Sequence, residues 1–351
     1  MSKRNNLLVF NYAMDPKDPI FSHQLDAVVA LSLHFQKVFV LTSKRADGLL
    51  LPHNVQVLSS RWQPGRPVGG SFRFVLNLFF ALIRCSPNVT FSHMTEVQSA
   101  IAAPILKFLR TPHYLWYAHV SPSKYVKWSH FWCTGIITST EGSCPVKSKK
   151  VHAIGQAINP KDFQFTSRNG GSQNFIHIGR LDPSKNLNKI IDLLFSSENA
   201  GNDYRLLQIG SPSSPKFNMF KDEIFHKYYK LLDSGTLQII GSIPRRDIPK
   251  QLSESDVFIH AFQGSLDKTL VEATMSGLPV VTINREYRKI FGAWASDPKA
   301  SLQQELEAYL SLIEDDYDMK SELHRRHTIA LTSHSQDHWI SALVEILQST
   351  K

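Results

Sequence analysis

Short apolar runs recur along the chain with helix-like stretches between them. Residues 7–10, 38–41, 55–58, 89–91, 114–117, 136–138 and 151–154 are too short for helices, and their unbroken apolar character suits strands covered on both faces of a parallel sheet. Between them, residues 22–35 and 71–83 carry apolar side chains at three- and four-residue intervals, the spacing of crossover helices. The alternation stops over 159–174, where Pro160, Lys161, Asp162, Ser167, Asn169, Gly170, Gly171 and Ser172 form a polar, turn-rich stretch. A second series follows, with strands at 175–178, 205–209, 237–240, 257–260 and 280–283 and helices starting near Ser184, Phe217, Ile248 and Asp267. A last amphipathic helix over 337–347 sets Trp339 and Leu343 on one side and His338 and Glu345 toward solvent. The pattern predicts an α/β protein of two doubly wound, Rossmann-like domains, 1–160 and 174–333. A linker over 161–173 joins them, and a terminal helix over 334–351 can return to the first. Ligands of such sheets bind at the carboxyl ends of the strands, here on an expected intervening cleft.

The length of 351 residues suits two cores, and 42% hydrophobic with 20% charged residues excludes a disordered chain. The most apolar stretch, 72–83, is interrupted by Arg73 and Asn77 and is shorter than the roughly 20 residues a bilayer span needs. The apolar run at 7–10 reads as a first strand, too short for a signal-peptide core. Cys85, Cys133 and Cys144, odd in number and scattered, match neither a disulfide framework nor a zinc spacing, so a reducing cytoplasmic setting is expected. The net charge of +9 is unevenly placed: residues 1–160 hold 17 Lys/Arg against 6 Asp/Glu, the remainder 22 against 24. The basic excess therefore belongs to the first half and favours an anionic partner there, such as a membrane surface or an acidic glycan, or else only aids solubility. Nucleic acid is not expected, because no interleaved aromatic and basic motif accompanies the charge.

Three segments of the second half carry chemistry. In Gly179-Arg180-Leu181-Asp182-Pro183-Ser184-Lys185-Asn186 a strand ends in glycine and a turn presents two cations, which can converge on a diphosphate or stand apart in a solvated loop. In the segment from Gly264 to Ala273 a helix opens directly after a strand. The amides of Lys268 and Thr269 can there meet phosphate oxygens, and Glu272 can accept two ribose hydroxyls; the alternative is Asp267 as a helix cap and Glu272 as a surface residue. Gly241-Ser242-Ile243-Pro244 closes another strand and can hold a flat base against Ile243.

Together these segments resemble the GT-B retaining, nucleotide-sugar-dependent glycosyltransferases of the fourth sequence family. The resemblance runs from Phe175 to Ile283 through the diphosphate turn, the base loop, the Ser255-Asp256-Val257 strand entry and the Leu-Val-Glu-Ala segment ending in Gly277, Pro279, Val280 and Val281. It implies that Gly179, Arg180, Lys185, Ile243, Lys268, Thr269 and Glu272 bind the donor without any metal or other cofactor. In the first half, His119 after Leu115-Trp116-Tyr117-Ala118 is similar to the family's cleft histidine, and the segment from Ile154 to Asn159 resembles its lead into the linker. His93, which ends another strand, and Ser22 and His23 at the first crossover helix are candidates for acceptor or sugar contacts.

Two positions depart from the family. No glycine occurs in the turn from Tyr12 to Phe21, and Gly264 stands where the first of the paired glutamates is expected. Asp267 is the candidate to take over part of that carboxylate's role. The expected reaction is transfer of a sugar, with retention, from a nucleoside diphosphate donor to a glycan or lipid-linked acceptor in cell-envelope polysaccharide synthesis. His119, Arg180, Lys185 and Asp267 are its catalytic candidates, and the enzyme is expected in the cytoplasm or on the inner face of the membrane. The alternatives are a nucleotide-sugar epimerase and a donor-binding subunit without turnover. His324 with His327, and His334 with His338, have helical metal-ligand spacing but are expected to be solvated surface, with no metal.

Overall fold

A computed structural model describes residues 5–18, 21–60, 67–168, 171–199, 201–314 and 318–349. Asn169 and Gly170 of the expected linker, and Pro19 and Ile20 of the glycine-free turn, lie outside them. The chain forms two compact units, Met1–Gly155 with Asp337–Lys351, and Gln156–Gln336. The first boundary thus falls at Gly155, a few residues before the expected 160, and the second at Gln336 instead of 333.

The first unit runs β1 (Asn6–Met14), α1 (His23–Ser32), β2 (Lys37–Arg45), β3 (Val55–Ser59), α2 (Pro67–Cys85), β4 (Val89–His93), α3 (Glu96–Phe108), β5 (His113–Trp116), α4 (Lys124–Trp132), β6 (Gly135–Thr138) and β7 (Val151–Ala153). Its sheet is parallel with order β3-β2-β1-β4-β5-β6-β7. The sequential neighbours of β1 lie on one side of it and β4 on the other, so the strand order reverses between β1 and β4. β1 outlasts its apolar run because Gln24 Oε1 accepts the amides of Tyr12 and Ala13 at 2.9 and 3.1 Å and β2 pairs with it as far as Arg45. Phe74, Leu78, Ala81 and Cys85 of α2 pack with Ala102 and Leu106 of α3 on Leu8, Phe10, Phe39 and Leu41. Ala103 of α3 and Val126 of α4 continue that layer over Leu115 and Ile136.

The second unit runs β8 (Asn174–Ile178), α5 (Leu187–Leu194), β9 (Arg205–Ile209), α6 (Asn218–Lys227), α7 (Tyr229–Asp233), β10 (Leu237–Ile240), α8 (Ile248–Ser253), β11 (Val257–His260), α9 (Lys268–Met275), β12 (Val280–Thr282), α10 (Arg285–Phe291), α11 (Leu302–Glu314) and α12 (Met319–His334). Its parallel sheet has the order β10-β9-β8-β11-β12, which reverses between β8 and β11. Two apolar cores cover it, one built on α5, α11 and Tyr309, the other on α9, Tyr287 and Phe291. The last helix, α13 (Gln336–Gln348), belongs from Asp337 onward to the first unit, where Trp339 is buried against Phe91, His93 and Trp116. Among the described residues no helix is long and apolar enough to cross a membrane.

Candidate active site

The second unit concentrates charge where its strand order reverses, the position at which open α/β sheets bind ligands. β8 is followed by Gly179, whose carbonyl lies so close to Gly210 that a Cβ there would stand 2.1 Å from the oxygen. Gly210 has φ +133°, a conformation that side-chain-bearing residues rarely adopt. The turn after Gly179 is held by Asp182, which accepts the Ser213 amide at 3.0 Å and the Ser213 hydroxyl at 2.7 Å. It closes in left-handed Asn186, φ 54°, whose amide side chain donates to Ala261 O at 3.1 Å. This scaffold presents the two cations in different ways. Arg180 has a side chain 61% exposed, 3.5 Å from Asp182, whereas Lys185 is buried and ion-paired with Asp267.

The Lys185–Asp267 pair spans the loops after β8 and β11, and so bridges the switch point itself. Asp267 Oδ2 also meets His260 Nε2 at 3.0 Å, and His260 Nδ1 meets the Thr282 hydroxyl at 3.2 Å. Burial opposes charge on Asp267, but the His260 contact and the Lys185 cation outweigh it and hold the carboxyl far below the usual range. Burial also lowers the His260 pKa, against the pull of Asp267. His177 lies 6.0 Å from His260 between ring centroids, is hydrogen-bonded to Gln208, and is pushed by burial down to about 3. Its Nε2 is buried with no hydrogen-bond partner.

The candidate residues of this unit separate clearly. Asp267 precedes α9, yet its side chain makes no capping bond, so the cap reading of Asp267 is replaced by an ionic one. Glu272 is not a surface residue: it is buried and ion-paired with Arg245, which lies over the Phe163 ring. Lys268 and Thr269 open α9, and the Thr269 hydroxyl is buried without a hydrogen-bond partner. Ile243 is half-buried against the second core, in a loop whose Ser242 amide donates to Ser211 Oγ at 3.0 Å. At Gly264 an added Cβ would stand 1.9 Å from Phe262 Cζ, so the place expected for the first glutamate is occupied by the Phe262 ring. That ring faces Lys185, whose Nζ is 4.0 Å from its centroid.

In the first unit the reversal between β1 and β4 gathers His23 and His93, with ring centroids 5.6 Å apart. His93 is buried at the end of β4, its carbonyl accepts Gln24 Nε2 at 2.9 Å, and its ring lies 5.7 Å from Trp339. Ser22 precedes α1 without a side-chain capping bond. His119 is exposed after β5, one strand further along the sheet, 5.6 Å from the Tyr117 ring.

His260, Phe262, His177 and Arg245 were not among the sequence candidates. The strand-end position that singled out His93 also fits His260, whereas the roles of Phe262 and Arg245 depend on contacts across loops. His334 departs from the expected solvated surface: it is buried, and its Nδ1 accepts the Gln156 amide at 3.0 Å. His327 is half-buried against Met275 O at 2.8 Å. Among the described residues no group of three His, Cys, Asp or Glu side chains is placed to hold a metal.

The architecture is that of the GT-B fold, two Rossmann-like units, and solved structures of that fold align with nearly the whole chain. HepE from Anabaena in complex with UDP-glucose aligns at TM-score 0.74 and 16% identity, covering 98% of this chain and 100% of its own. Sucrose-phosphate synthase from Thermosynechococcus elongatus gives 0.74 and 11%, covering 98% of each chain. The lipopolysaccharide outer core galactosyltransferase WaaB, in its apo form, gives 0.69 and 10%, covering 98% of this chain and 99% of its own. Residues 159–295 match the family described as glycosyl transferases group 1. No curated protein matches the chain by sequence.

Proposed function

We propose that the protein transfers a sugar from a nucleoside diphosphate donor to a glycan or lipid-linked acceptor in cell-envelope polysaccharide synthesis, with retention of configuration. The observation that carries this reading is the Lys185–Asp267 bridge across the second unit's switch point, inside the stretch similar to group 1 glycosyl transferases. Exposed Arg180 offers its planar fork to the diphosphate while Lys185, already desolvated, supplies a fixed charge. As the glycosidic bond breaks, negative charge grows on the leaving phosphate, and preorganised cations stabilise it without reorganising. The α9 amides at Lys268 and Thr269, with the unpartnered Thr269 hydroxyl, complete the phosphate contacts. Arg245 holds Glu272 in place for the ribose, and Ile243 meets the base.

The neighbours solved with UDP-glucose, UDP, or UDP and glucose support a nucleotide-sugar donor. The basic first unit is the acceptor side, through His93, His23, Ser22 and His119, and faces an anionic membrane from the cytoplasm. No metal or other cofactor takes part.

A thermal-shift screen of nucleoside diphosphate sugars tests the donor, since a ligand at a hundred times its dissociation constant stabilises the fold by about 2.7 kcal/mol. Transfer of labelled sugar to membrane extracts, with the product anomer read by NMR, tests the rest. The ring at Gly264 favours one second reading, a donor-binding subunit without turnover. Donor stabilisation with neither transfer nor donor hydrolysis would establish it, and stabilisation by no donor would sink both.

A further inference from the structure

The first unit has an apolar surface that no described residue covers. Helix α2 is apolar on two opposite sides. Phe74, Leu78, Ala81 and Cys85 face the sheet, whereas Phe72, Leu76, Phe79, Phe80 and Ile83 recur at three- and four-residue intervals on the far side and are exposed. Phe72 is 68% and Ile83 82% exposed. Soluble helices place polar residues on that face, so five large apolar side chains there require a partner. The same helix layer adds Phe108, 87% exposed at the end of α3, and Phe131, 70% exposed at the end of α4, with Trp128 beside it. Trp128 is fixed to this layer by its Nε1, which donates to Ala100 O of α3 at 3.0 Å.

The charge bordering the α2 stripe has one sign. No Asp or Glu occurs from Gly48 to Thr95, and Arg73 and Arg84 border one edge of the exposed stripe on α2. At the carboxyl end of α2 stands Arg84 and at that of α3 stand Lys107 and Arg110, while Lys37 Nζ donates to Arg84 O at 2.8 Å. An outward helix face of Phe, Leu and Ile edged by arginines matches the layering of a lipid surface, with apolar tips among acyl chains and guanidinium groups among phosphates. Among the described residues no helix, α2 included, is long and apolar enough to cross a membrane.

We propose that α2 is an in-plane membrane anchor, whose outward stripe inserts into the interfacial region of an anionic bilayer with Phe108, Trp128 and Phe131 beside it. The anchor deepens the membrane side of the proposed function and is independent of donor chemistry. Its signature is binding that salt weakens without abolishing, because apolar insertion persists when Coulomb attraction is screened.

The test uses the full chain with vesicles of phosphatidylcholine alone and of an equimolar phosphatidylcholine–phosphatidylglycerol mixture, in flotation assays at low and molar salt. The wild type is expected to float with the anionic vesicles and to retain a fraction at molar salt. Combining Phe72→Ser, Phe79→Ser and Ile83→Ser is expected to weaken partitioning at least about a hundredfold and to remove the salt-resistant fraction. Arg73→Gln with Arg84→Gln should lower binding at low salt only. Circular dichroism checks folding, and an environment-sensitive dye on Leu76→Cys should shift to the blue on anionic vesicles, which reports insertion independently. Wild-type binding by the triple variant, or complete salt release without a dye shift, overturns the anchor. Absence of vesicle binding together with a dimer that the triple variant splits would make the face a subunit interface instead. Donor-induced thermal shifts on the same samples report the donor reading separately.

Discussion

The two units reverse strand order in the same way, beside β1 in one and β8 in the other, but furnish the reversal with opposite chemistry. At the second unit's switch point a chain of polar contacts runs from Lys185 to Asp267, from Asp267 to His260 and from His260 to Thr282. At the first unit's, rings pack on one another, His23 edge-on to His93 and His93 against Trp116 and Trp339. Preformed charge suits a site that must receive and stabilise a diphosphate, whereas rings with polar edges suit sugar hydroxyls and apolar sugar faces. Topology sets where a ligand binds, and the loop side chains set which ligand it is.

The sharpest break in this comparison comes from the cations. Arg180→Ala and Lys185→Ala are each expected to lower transfer by about a hundredfold to a thousandfold, the usual loss for one preorganised charge donor. Stability should distinguish them. Arg180 is exposed, and its removal should leave thermal unfolding unchanged, whereas loss of Lys185 strands Asp267 without its cation and should lower the unfolding temperature. Unaltered rates in both variants, with a confirmed donor, would remove the diphosphate from this site.

Asp267→Asn tests whether the ionic chain is a unit. Because the side chain caps nothing and pairs with two groups, the substitution is expected to cost about 3 kcal/mol of stability as well as transfer rate. Unfolding at the wild-type temperature would show that the pair contributes no stability, and wild-type transfer would confine Asp267 to structure.

The first unit should respond differently. His93→Ala and His119→Ala are expected to leave donor binding intact and to slow transfer by up to about a hundredfold through misplaced reactants. Isothermal titration with the donor, run beside turnover, checks this, and weakened donor affinity would contradict the division of labour.

The same contrast explains what the sequence discloses. Diphosphate-turn residues lie within eight positions of one another, so Arg180, Lys185 and their glycine are visible as a string. The partner of Lys185 is 82 positions away, and the Trp339 ring reaches His93 from the last helix, so neither contact leaves a local signal. Strands were legible because burial on both faces makes them continuous apolar runs. Helices α3 and α4 were not, for opposite reasons. α3 buries Gln98 and Ser99 among small Ala100, Ala102 and Ala103 and contains Pro104, so its inner face carries only a weak apolar stripe. α4 buries Val126 and Ser129 while exposing Trp128 and Phe131, so its pattern reads inside out. The Gly264 gap was visible at once, but the ring that fills it was not, since Phe262 reaches it only through the fold of the loop.

The smallest expected effect concerns acid stability, and there the two units should behave alike. Each unit has a fully buried histidine held neutral by burial: His113, bonded to Thr90 at 2.7 Å and Ser99 at 2.9 Å, and His177, bonded to Gln208. Burial pushes both down to about 3, so in the folded protein they stay neutral where an unfolded chain protonates them, near pH 6.5. The unfolded state therefore binds more protons over this interval, and stability is full above about pH 6.5 and falls as the pH drops toward 3. By pH 5 each histidine accounts for up to about 2 kcal/mol of the loss. Calorimetric unfolding between pH 7.5 and 5, followed for His113→Asn and His177→Asn, reads the slope independently of any cost of the substitution itself. Each variant should flatten the pH dependence of its own unit. A slope unchanged by His177→Asn would mean that the imidazole beneath Gly179 is protonated in the folded state, and the charge at this switch point would then include a cation on β8.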